Sequence, residues 1–367
     1  MNALSLFSNA GFGEFYLPKI GVNIVTCNEL LQDRLDLYKK LHRSSGDLVC
    51  GDIGNDDVKN SIISSCQKQG GIDLIIATPP CQGMSIANAK KSPNDIRNKL
   101  IIHAMDIFSE LDARYMLIEN VPQMAKTYIN YKGQAVNIID FIQSQIPNNF
   151  KCFTRVLNGK KFGTAQSRSR SISLISKNGA WIHPKEFKNT PTVRDAIGNN
   201  KEFCSLESGQ HSLIPWHFAS RHNKNHIEWM SNTREGCTAF DNEIHYPSVL
   251  ENGKKRRIHG FKTTYKRMKW DEPAPTVTMT NGSISSQNNV HPGILKNGRW
   301  TDARVLTIRE ILAICGLPSG CFDKFATTTD GNTYTYDFTP NFMRKVLGEM
   351  FLPKMCLEII KMIPELK

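Results

Sequence analysis

The stretch that decides the fold is Ile72-Asp73-Leu74-Ile75-Ile76-Ala77-Thr78, which leads directly into Pro79-Pro80-Cys81-Gln82-Gly83. A short run rich in Ile and Leu is typical of a strand buried on both faces of a parallel sheet. The two prolines end the hydrogen-bond ladder and stiffen the exit from the strand. Because open α/β sheets bind ligands at the carboxyl ends of their strands, Cys81 lies where a nucleophilic thiol would act. A buried thiol that serves only as a small apolar group fits this segment equally well.

Apolar runs alternate with helix-like segments from the N-terminus to about residue 176. We predict strands at 3–7, 22–27, 73–78, 115–119, 152–156 and 171–175. The helix-like segments lie near 30–41, 56–69, 100–111 and 135–145. This alternation indicates an α/β fold, a doubly wound parallel sheet with helices on both faces.

A second, irregular module is predicted at 180–302, which is rich in polar and aromatic residues and has weak periodicity. It includes the basic run Lys254-Lys255-Arg256-Arg257, and the whole chain carries a formal net charge of +12. A strongly basic balance favours a polyanionic partner such as nucleic acid.

Helical structure is predicted to return after this module. Thr307 and Glu310 have the spacing of a capping box at a helix start, and Gly316 is placed to end that helix. A last amphipathic helix is expected at about 341–362, where Pro353 should kink or divide it.

Composition and cysteine spacing exclude several classes of protein. With 40% apolar residues and mixed charge, the 367-residue chain is expected to be globular. No apolar run reaches the length of a membrane span, and the first residues lack the features of a signal peptide, so we expect a cytoplasmic protein. The ten cysteines form no CxxC pair and no zinc spacing, which predicts free thiols and no metal site.

A turn containing Gly11 and Gly13 follows the first predicted strand. Glycine lets a turn tighten and lets a cofactor approach the backbone, although a plain strand-to-helix turn has the same pattern. Glu29 follows the second strand, where an acid can bind ribose hydroxyls, and Asp52 follows a third apolar segment, where it can accept from an adenine amine. Alone, each acid is more typical of a solvated loop. Because the phosphate-binding GxxxxGK[ST] and GxGxxG patterns are absent, S-adenosylmethionine fits better than NAD.

Polar groups also end two later strands. Glu119 emerges from a buried strand, so its carboxyl group needs a partner, either nearby backbone amides or the edge of a base. Strand alternation places Gln166, Arg168 and Arg170 on one face. The two arginines fit a solvated or phosphate-facing edge, and they also fit a site that fixes a carbonyl oxygen and a neighbouring thiolate.

These segments, in this order, resemble the motifs of the DNA cytosine-5 methyltransferases. The resemblance covers nearly the whole chain outside about 180–272. The blocks that carry it are Phe7…Gly11…Gly13, Asn28-Glu29, Gly51-Asp52-Ile53, Pro79-Pro80-Cys81-Gln82, Arg97…Leu100, Glu119-Asn120-Val121, Gln166-x-Arg168-x-Arg170, Arg304-x-Leu306-Thr307-x-Arg309-Glu310, Gly316-Leu317-Pro318 and Gly348-Glu349. The chain departs from the family at Asn9, where glycine is usual, at Pro79, where phenylalanine is common, and at Glu349, where asparagine is usual.

The resemblance implies a Rossmann-like, S-adenosylmethionine-dependent DNA (cytosine-5-)-methyltransferase. In it, Cys81 is expected to add to C6 of a cytosine flipped out of the duplex, because covalent addition makes C5 able to attack a methyl group. Glu119 is expected to bond the N3 and amine edge of the base. Arg170 is expected to hold the O2 carbonyl, and Arg168 to favour the thiolate together with Arg170.

The resemblance also implies residues that bind the cofactor and DNA. The cofactor set is Phe7, Gly11, Gly13, Glu29, Asp52, Ile53, Pro79, Leu100 and Glu349. The expected DNA contacts are Gln82, Ser85, Lys90 and Lys91 in a mobile loop, and Lys254, Lys255, Arg256 and Arg257 in the variable module.

We therefore expect a discontinuous catalytic domain at 1–179 and 303–367 and a smaller, irregular target-recognition domain at 180–302. Double-stranded DNA is the expected partner, with a cognate restriction endonuclease or a second methylase encoded nearby. We expect a monomer that associates with the bacterial nucleoid through DNA. Two alternatives remain open at this point: a tRNA cytosine-5 methyltransferase on the same scaffold, and a catalytically silent DNA-binding module.

Overall fold

The structure is a computed structural model that describes residues 1–42, 46–80, 84, 92, 94–331 and 333–366. Contacts between residues divide the chain into two compact units. The first consists of Met1–Asn158, Ser169–Glu186 and Met350–Lys367, and the second of Gly159–Arg168 and Phe187–Glu349.

A seven-stranded sheet forms the centre of the first unit. The strands of this unit are β1 (Asn2–Leu6), β2 (Asn23–Glu29), β3 (Asp47–Cys50), β4 (Leu74–Ala77), β5 (Tyr115–Asn120), β6 (Tyr128–Tyr131), β7 (Gln134–Asn137), β8 (Phe150–Asn158) and β9 (Ser169–Lys177). The sheet has the order β3-β2-β1-β4-β5-β9-β8, while β6 and β7 form a separate hairpin. The five strands from β3 to β5 are parallel, whereas β9 and β8 are antiparallel to their neighbours. The predicted doubly wound sheet is confirmed, and its parallel part ends at β5; the antiparallel edge was not foreseen, because an apolar run carries no signal of strand direction.

Helices cover both faces of this sheet, as predicted. The helices that precede β8 are α1 (Gln32–Leu41), α2 (Asp56–Lys68), α3 (Ile96–Leu111) and α4 (Ile138–Gln145). Leu4 and Leu6 of β1 join the apolar cluster that contains residues of α2, α3 and α4. Ser5 points to the opposite face, where it meets Glu14 and, through it, Tyr38 of α1.

Side-chain caps explain two helix starts that the sequence pattern misplaced. The Asp95 carboxylate accepts from the Arg97 amide, so α3 begins before residue 100. The Asn137 side chain accepts from the Ile139 amide, so α4 begins after β7, not near residue 135. Such caps satisfy amides that the first turn of a helix leaves without a partner.

The second unit is irregular, as predicted. Its strands are β10 (Ser248–Glu251), β11 (Lys254–Arg257), β12 (Leu295–Lys296), β13 (Arg299–Trp300), β14 (Ala326–Thr328) and β15 (Tyr334–Tyr336), which pair as two-stranded hairpins. Its helices are α5 (Lys224–Ser231), α6 (Ile308–Ile314) and α7 (Pro340–Glu349). The capping box of Thr307 and Glu310 at the start of α6 is confirmed, and Gly316 follows that helix with φ +83°.

Buried arginines stabilise this irregular backbone. The Arg267 side chain donates to the carbonyl oxygens of Met230, His291 and Asp302. Arg304 is fully buried and pairs with the carboxylates of Asp302 and Glu310. Carbonyl groups outside regular structure need such partners, because a buried polar group without a hydrogen bond is costly.

The compact units differ from the predicted domains at three places. Residues 159–168, which were predicted as part of the catalytic domain, belong to the second unit. Residues 303–349 belong to the second unit, where Arg344 donates to Asn281 and to the Leu306 carbonyl. Residues 180–186 belong to the first unit, where the Trp181 indole donates to the Ile359 carbonyl in α8 (Pro353–Ile360). Pro353 divides α7 from α8, as the sequence indicated. The assignment of recognition to 180–302 stays a prediction.

Among the described helices, none combines the length and the apolarity that a membrane span requires. Within the same described ranges, no three His, Cys, Asp or Glu side chains cluster in a way that could hold a metal ion.

Candidate active site

The turn after β1 has an unusual backbone. Phe7, Asn9 and Gly11 all have positive φ, at 59°, 52° and 71°. A non-glycine residue adopts this region only where its surroundings hold it there. The turn is fixed to the end of β2, since the Ser8 amide donates to the Asn28 carbonyl at 2.9 Å and the Ser8 hydroxyl donates to the same oxygen at 3.1 Å.

Gly11 and Gly13 are required here by close packing. A Cβ on Gly11 would lie 2.4 Å from Tyr38 Cε2, which is far inside contact distance. A Cβ on Gly13 would lie 3.0 Å from the ring of Phe351. The first position is thus closed to any side chain, both by its φ and by the ring that faces it.

Glu29 is held beside this turn by backbone amides. Its side chain is buried, and its two carboxylate oxygens accept from the amides of Asn9 at 2.9 Å and Leu31 at 3.2 Å. The guanidinium of Arg34 lies 3.8 Å from one of these oxygens. The structure therefore brings together the turn and the acid that the sequence placed on neighbouring strands.

Asp52 lies at the end of the next strand of the sheet. Glu29 and Cys50 are partners in the pairing of β2 with β3, and the Gly51 amide donates to the Glu29 carbonyl at 3.0 Å. Asp52 is exposed, and its carboxylate accepts from the Gly54 amide, while Ile53 is buried. The carboxyl ends of three adjacent parallel strands thus present a close-packed backbone turn and two acids.

These groups fit S-adenosylmethionine. Carboxylates accept the hydrogen bonds that ribose hydroxyls and an adenine amine donate. The sequence has no GxxxxGK[ST] phosphate-binding pattern, which agrees with a cofactor that has no pyrophosphate. Phe7 and Leu100 are half-buried and pack against the core of the first unit.

The exits of β1, β4 and β5 are tied together by side chains. The Thr78 hydroxyl donates to the Phe7 carbonyl at 2.9 Å, and the Asn120 side chain donates to the carbonyl of the buried Pro79 at 3.0 Å. These bonds fix the backbone that leads from β4 toward residue 81. Of the predicted residues, Cys81, Gln82, Ser85, Lys90 and Lys91 lie outside the described residues.

Glu119 and Arg170 form an ion pair in the first unit. Arg170 Nε lies 2.7 Å from Glu119 Oε1, and the two side chains are 11% and 9% exposed. Antiparallel pairing of β5 with β9 sets this contact, because Asn120 is opposite Ser171 in the register. The partner of the acid that the sequence predicted is thus this arginine, and a nearly buried ion pair at a strand end can orient a polar ligand.

Gln166 and Arg168 have a different setting in the second unit. Arg168 is buried and donates to the carbonyl oxygens of Val277 at 2.9 Å and Gly348 at 3.0 Å. Gln166 is also buried, and its side chain accepts from the Val277 amide at 3.2 Å. Arg168 and Arg170, which the sequence predicted on one face, thus have different partners. Glu349, which ends α7, is half-buried.

The basic run of the second unit forms a hairpin, β10–β11, with an Asn252-Gly253 turn. Both turn residues have positive φ, at 51° and 76°, as two-residue hairpin turns require. Arg257 anchors the hairpin, since it donates to the carbonyls of Phe240 and Asn242. Lys254, Lys255 and Arg256 are exposed.

Sequence reasoning missed Glu14 and Tyr38. Glu14 is buried, and the ring of Tyr38 lies against the turn at Gly11. The one available signal was an acid directly after Gly13, in a turn that must pack closely.

Comparisons with known proteins give the family. The sequence model named C-5 cytosine-specific DNA methylase matches residues 1–362. This chain belongs to that family. It is 37% identical over 357 residues to the type II methyltransferase M1.HgaI of Avibacterium volantium, which covers 95% of this chain and 94% of the relative. The type II methyltransferase M1.HphI of Haemophilus parahaemolyticus is 30% identical over 251 residues, which covers 67% of this chain and 59% of the relative.

The fold agrees with this membership. A crystal structure of a DNA modification methyltransferase encoded within an E. coli prophage has a TM-score of 0.68 to this chain at 18% identity, and the match covers 100% of this chain and 99% of that one. The predicted family, fold class, activity and cofactor are confirmed. The protein is a DNA cytosine-5 methyltransferase that uses S-adenosylmethionine, and its substrate is DNA.

Proposed function

We propose that this methyltransferase modifies C5 of a cytosine that is flipped out of a specific duplex sequence, and that it protects DNA in a restriction–modification system. The observation that supports this site is the nearly buried ion pair of Glu119 and Arg170. Asn120, which follows Glu119 at the end of β5, donates from its side chain to the Pro79 carbonyl. This bond connects the acid and the arginine to the chain segment that leads into Cys81.

The chemistry begins at Cys81. Its thiolate forms a bond to C6 of cytosine, which breaks the conjugation of the ring and makes C5 nucleophilic. Arg170 stabilises the charge that grows on O2, and Glu119 accepts from the exocyclic amine and orients the N3 edge. S-adenosylmethionine supplies an electrophilic methyl group. After C5 has gained the methyl group it loses its proton, and the sulfur–C6 bond breaks to restore the thiolate and the aromatic ring.

Arg168 is better suited to positioning than to contact with the base. Its guanidinium donates to two backbone carbonyls, so it holds the segments around Val277 and Gly348. Substitution of a residue in this role changes geometry without removal of a reacting group.

We propose that the cofactor is held by the carboxyl ends of β1 to β3. Glu29 would accept from ribose hydroxyls and Asp52 from the adenine amine. The turn at Gly11 and Gly13 would supply backbone contact. Apolar contact would come from Phe7, Ile53, Pro79 and Leu100, and Glu349 is retained as a candidate.

Duplex DNA would be bound by positive and polar side chains. Lys254, Lys255 and Arg256 are exposed on the β10–β11 hairpin and would contact phosphates, with Arg257 as the anchor. A β-ribbon of this kind fits the major groove. Gln82, Ser85, Lys90 and Lys91 are proposed to close over the flipped base. Because the base must leave the stack before Cys81 can reach C6, such a closing segment has a chemical purpose.

The cellular role is proposed from the relatives, whose names describe type II methyltransferases. A cognate endonuclease, or a second methylase for an asymmetric site, would act on the same sequence. We place the enzyme in the bacterial cytoplasm, bound to DNA as a monomer.

The test is covalent trapping on DNA that contains 5-fluorocytosine. Fluorine at C5 cannot leave as a proton does, so the Cys81–C6 bond persists and the complex survives denaturation. We expect trapping on DNA and not on tRNA, loss of trapping in Cys81→Ser, and full trapping in the matched control Cys204→Ser, since Cys204 is exposed in the second unit. Trapping by Cys81→Ser would overturn the nucleophile, trapping on tRNA alone would favour the RNA enzyme, and DNA affinity without trapping by the wild type would favour a silent binding module. Bisulfite sequencing of DNA from expressing cells then identifies the methylated sequence.

A further inference from the structure

The carboxyl group of Glu14 connects β1, which precedes β2 in the sequence, with α1, which follows it. One carboxylate oxygen accepts from the hydroxyl of Ser5 in β1, and the other accepts from the hydroxyl of Tyr38 in α1 at 2.6 Å. All three side chains are buried. A single carboxyl group thus connects the first strand, the end of the turn and the first helix.

Tyr38 transmits this connection to the turn. Its ring faces Gly11 so closely that a Cβ there would lie 2.4 Å from Cε2, and it packs on His42 with ring centroids 4.4 Å apart. Since Phe7 and Asn9 hold positive φ in the same turn, the backbone needs external support to keep this shape. The ring of Tyr38 supplies that support on one side of Gly11.

The surroundings of Glu14 make its charge costly. The titratable groups that face it are Cys27 of β2, Tyr38 of α1 and Cys356 of α8, and none of these is a cation. Burial raises the pKa of Glu14 to about 7, and the hydroxyls of Ser5 and Tyr38 oppose this rise only in part. The carboxyl group therefore changes its charge near neutral pH.

The two protonation states differ in the bonds they can make. An ionised carboxylate accepts from both hydroxyls at once. A protonated carboxyl group has its own O–H, which must donate to one of these oxygens, so one of the two bonds has to reverse or break. Only the ionised form accepts from the hydroxyls of Ser5 and Tyr38 together, as in the structure, whereas in the protonated form one hydroxyl must give up this donation.

We propose that Glu14 is a positioning residue for S-adenosylmethionine, which fixes the turn at Gly11 through Tyr38 so that the cofactor binds more tightly when Glu14 is ionised. The proposal rests on the proposed function of this turn as the cofactor site. Loss of one net hydrogen bond corresponds to about a fivefold change in affinity. Cofactor affinity should therefore rise about fivefold as the pH rises through the titration of Glu14.

The experiment measures the Kd of S-adenosylhomocysteine for the full-length protein by calorimetry at about pH 6 and about pH 8, on either side of neutrality. Glu14→Gln keeps the size of the side chain but has one fixed set of donor and acceptor. We expect its affinity to match that of the wild type at the lower pH and to lack the wild-type pH dependence. Tyr38→Phe keeps the ring and loses the hydroxyl, and we expect it to bind about fivefold more weakly at the higher pH. Glu110→Gln, at an exposed position in α3, is the matched control and should behave as wild type at both pH values.

The outcomes separate the two proposals. If the wild type binds and Glu14→Gln retains the full pH dependence, the titrating group is another one, and the role of Glu14 is overturned. If Glu14→Gln does not fold, unchanged affinity of Tyr38→Phe at the higher pH overturns it equally. If the wild type itself fails to bind at either pH, it is the cofactor site of the proposed function that fails.

Discussion

Replacement of Gly11 by alanine is the sharpest test of the turn at Gly11 and Gly13, which we propose binds the cofactor, because Gly21 offers a matched control. Both glycines have nearly the same φ, +71° and +75°. A Cβ at Gly11 would lie 2.4 Å from Tyr38 Cε2 and 2.5 Å from His42 Nε2, whereas a Cβ at Gly21 meets nothing within 4 Å. The pair therefore separates the cost of backbone conformation from the cost of the close approach.

The magnitudes follow from these distances. Alanine in the left-handed region costs about 1–2 kcal/mol, and this cost is common to both variants. Overpacking in a filled region adds about 1–3 kcal/mol, which Gly11→Ala alone should bear. We thus expect Gly21→Ala to lower the free energy of unfolding by about 1–2 kcal/mol and Gly11→Ala by about 2–5 kcal/mol. Urea denaturation followed by circular dichroism measures both.

Cofactor binding gives a second readout of the same pair. Because Tyr38 must move to admit the new methyl group, Gly11→Ala should bind S-adenosylhomocysteine at least about tenfold more weakly, a change of about 1.4 kcal/mol. Gly21→Ala should keep wild-type affinity. Equal losses of stability in the two variants, with unchanged affinity in Gly11→Ala, would show that the ring of Tyr38 does not limit the turn and would refute this reasoning.

Four further outcomes are expected. Burial raises the pKa of Glu14 from 4.5 to about 7, so the free energy of unfolding of the wild type should fall by about 3 kcal/mol as the pH rises through this interval. Glu14→Gln should lack this pH dependence, and denaturation at several pH values measures the difference. Glu119→Gln should lower kcat by about a hundredfold and slow trapping on 5-fluorocytosine DNA, while wild-type rates would remove Glu119 from the mechanism. Joint alanine substitution of Lys254, Lys255 and Arg256 should reduce the slope of log DNA affinity against log salt concentration by about two to three. Exposed Lys39→Ala should leave this slope unchanged. Cys81→Ser should abolish turnover and leave the affinity for S-adenosylhomocysteine within about twofold of the wild type, measured by calorimetry.

The central strands could be predicted because they are buried on both faces. β4 is a continuous apolar run, and β5 is an apolar run that ends in Glu119 and Asn120; all their residues are buried, and such runs have few alternative interpretations. The direction of β8 and β9 could not be predicted in this way. It depends on the connection between them, which leaves the first unit at Gly159 and returns at Ser169.

Contacts between distant residues explain most of what the sequence did not reveal. Alternation predicted Arg168 and Arg170 on one face, but β9 begins only at Ser169, so Arg168 lies outside the strand, and the partners of the two arginines differ. Arg170 contacts Glu119, whereas Arg168 contacts backbone at Val277 and Gly348, more than a hundred positions away. An arginine of this motif can thus pair with a carboxylate or donate to backbone carbonyls, and only the folded structure distinguishes these two roles.

The sequence alone also does not distinguish the two acids beside the turn at Gly11, for which we propose different roles. Glu29 and Glu14 are both buried beside the turn, but Glu29 accepts from the backbone amides of Asn9 and Leu31, and Glu14 accepts from the hydroxyls of Ser5 and Tyr38. Amides only donate, so they favour one state of a carboxylate. Hydroxyls donate or accept, so they tolerate a carboxyl group that gains and loses its proton. One edge of the sheet therefore contains an acid held by amides, which suits the proposed contact with the cofactor, and an acid held by hydroxyls, which suits a response to pH, and the difference lies in the donors and not in the acids themselves.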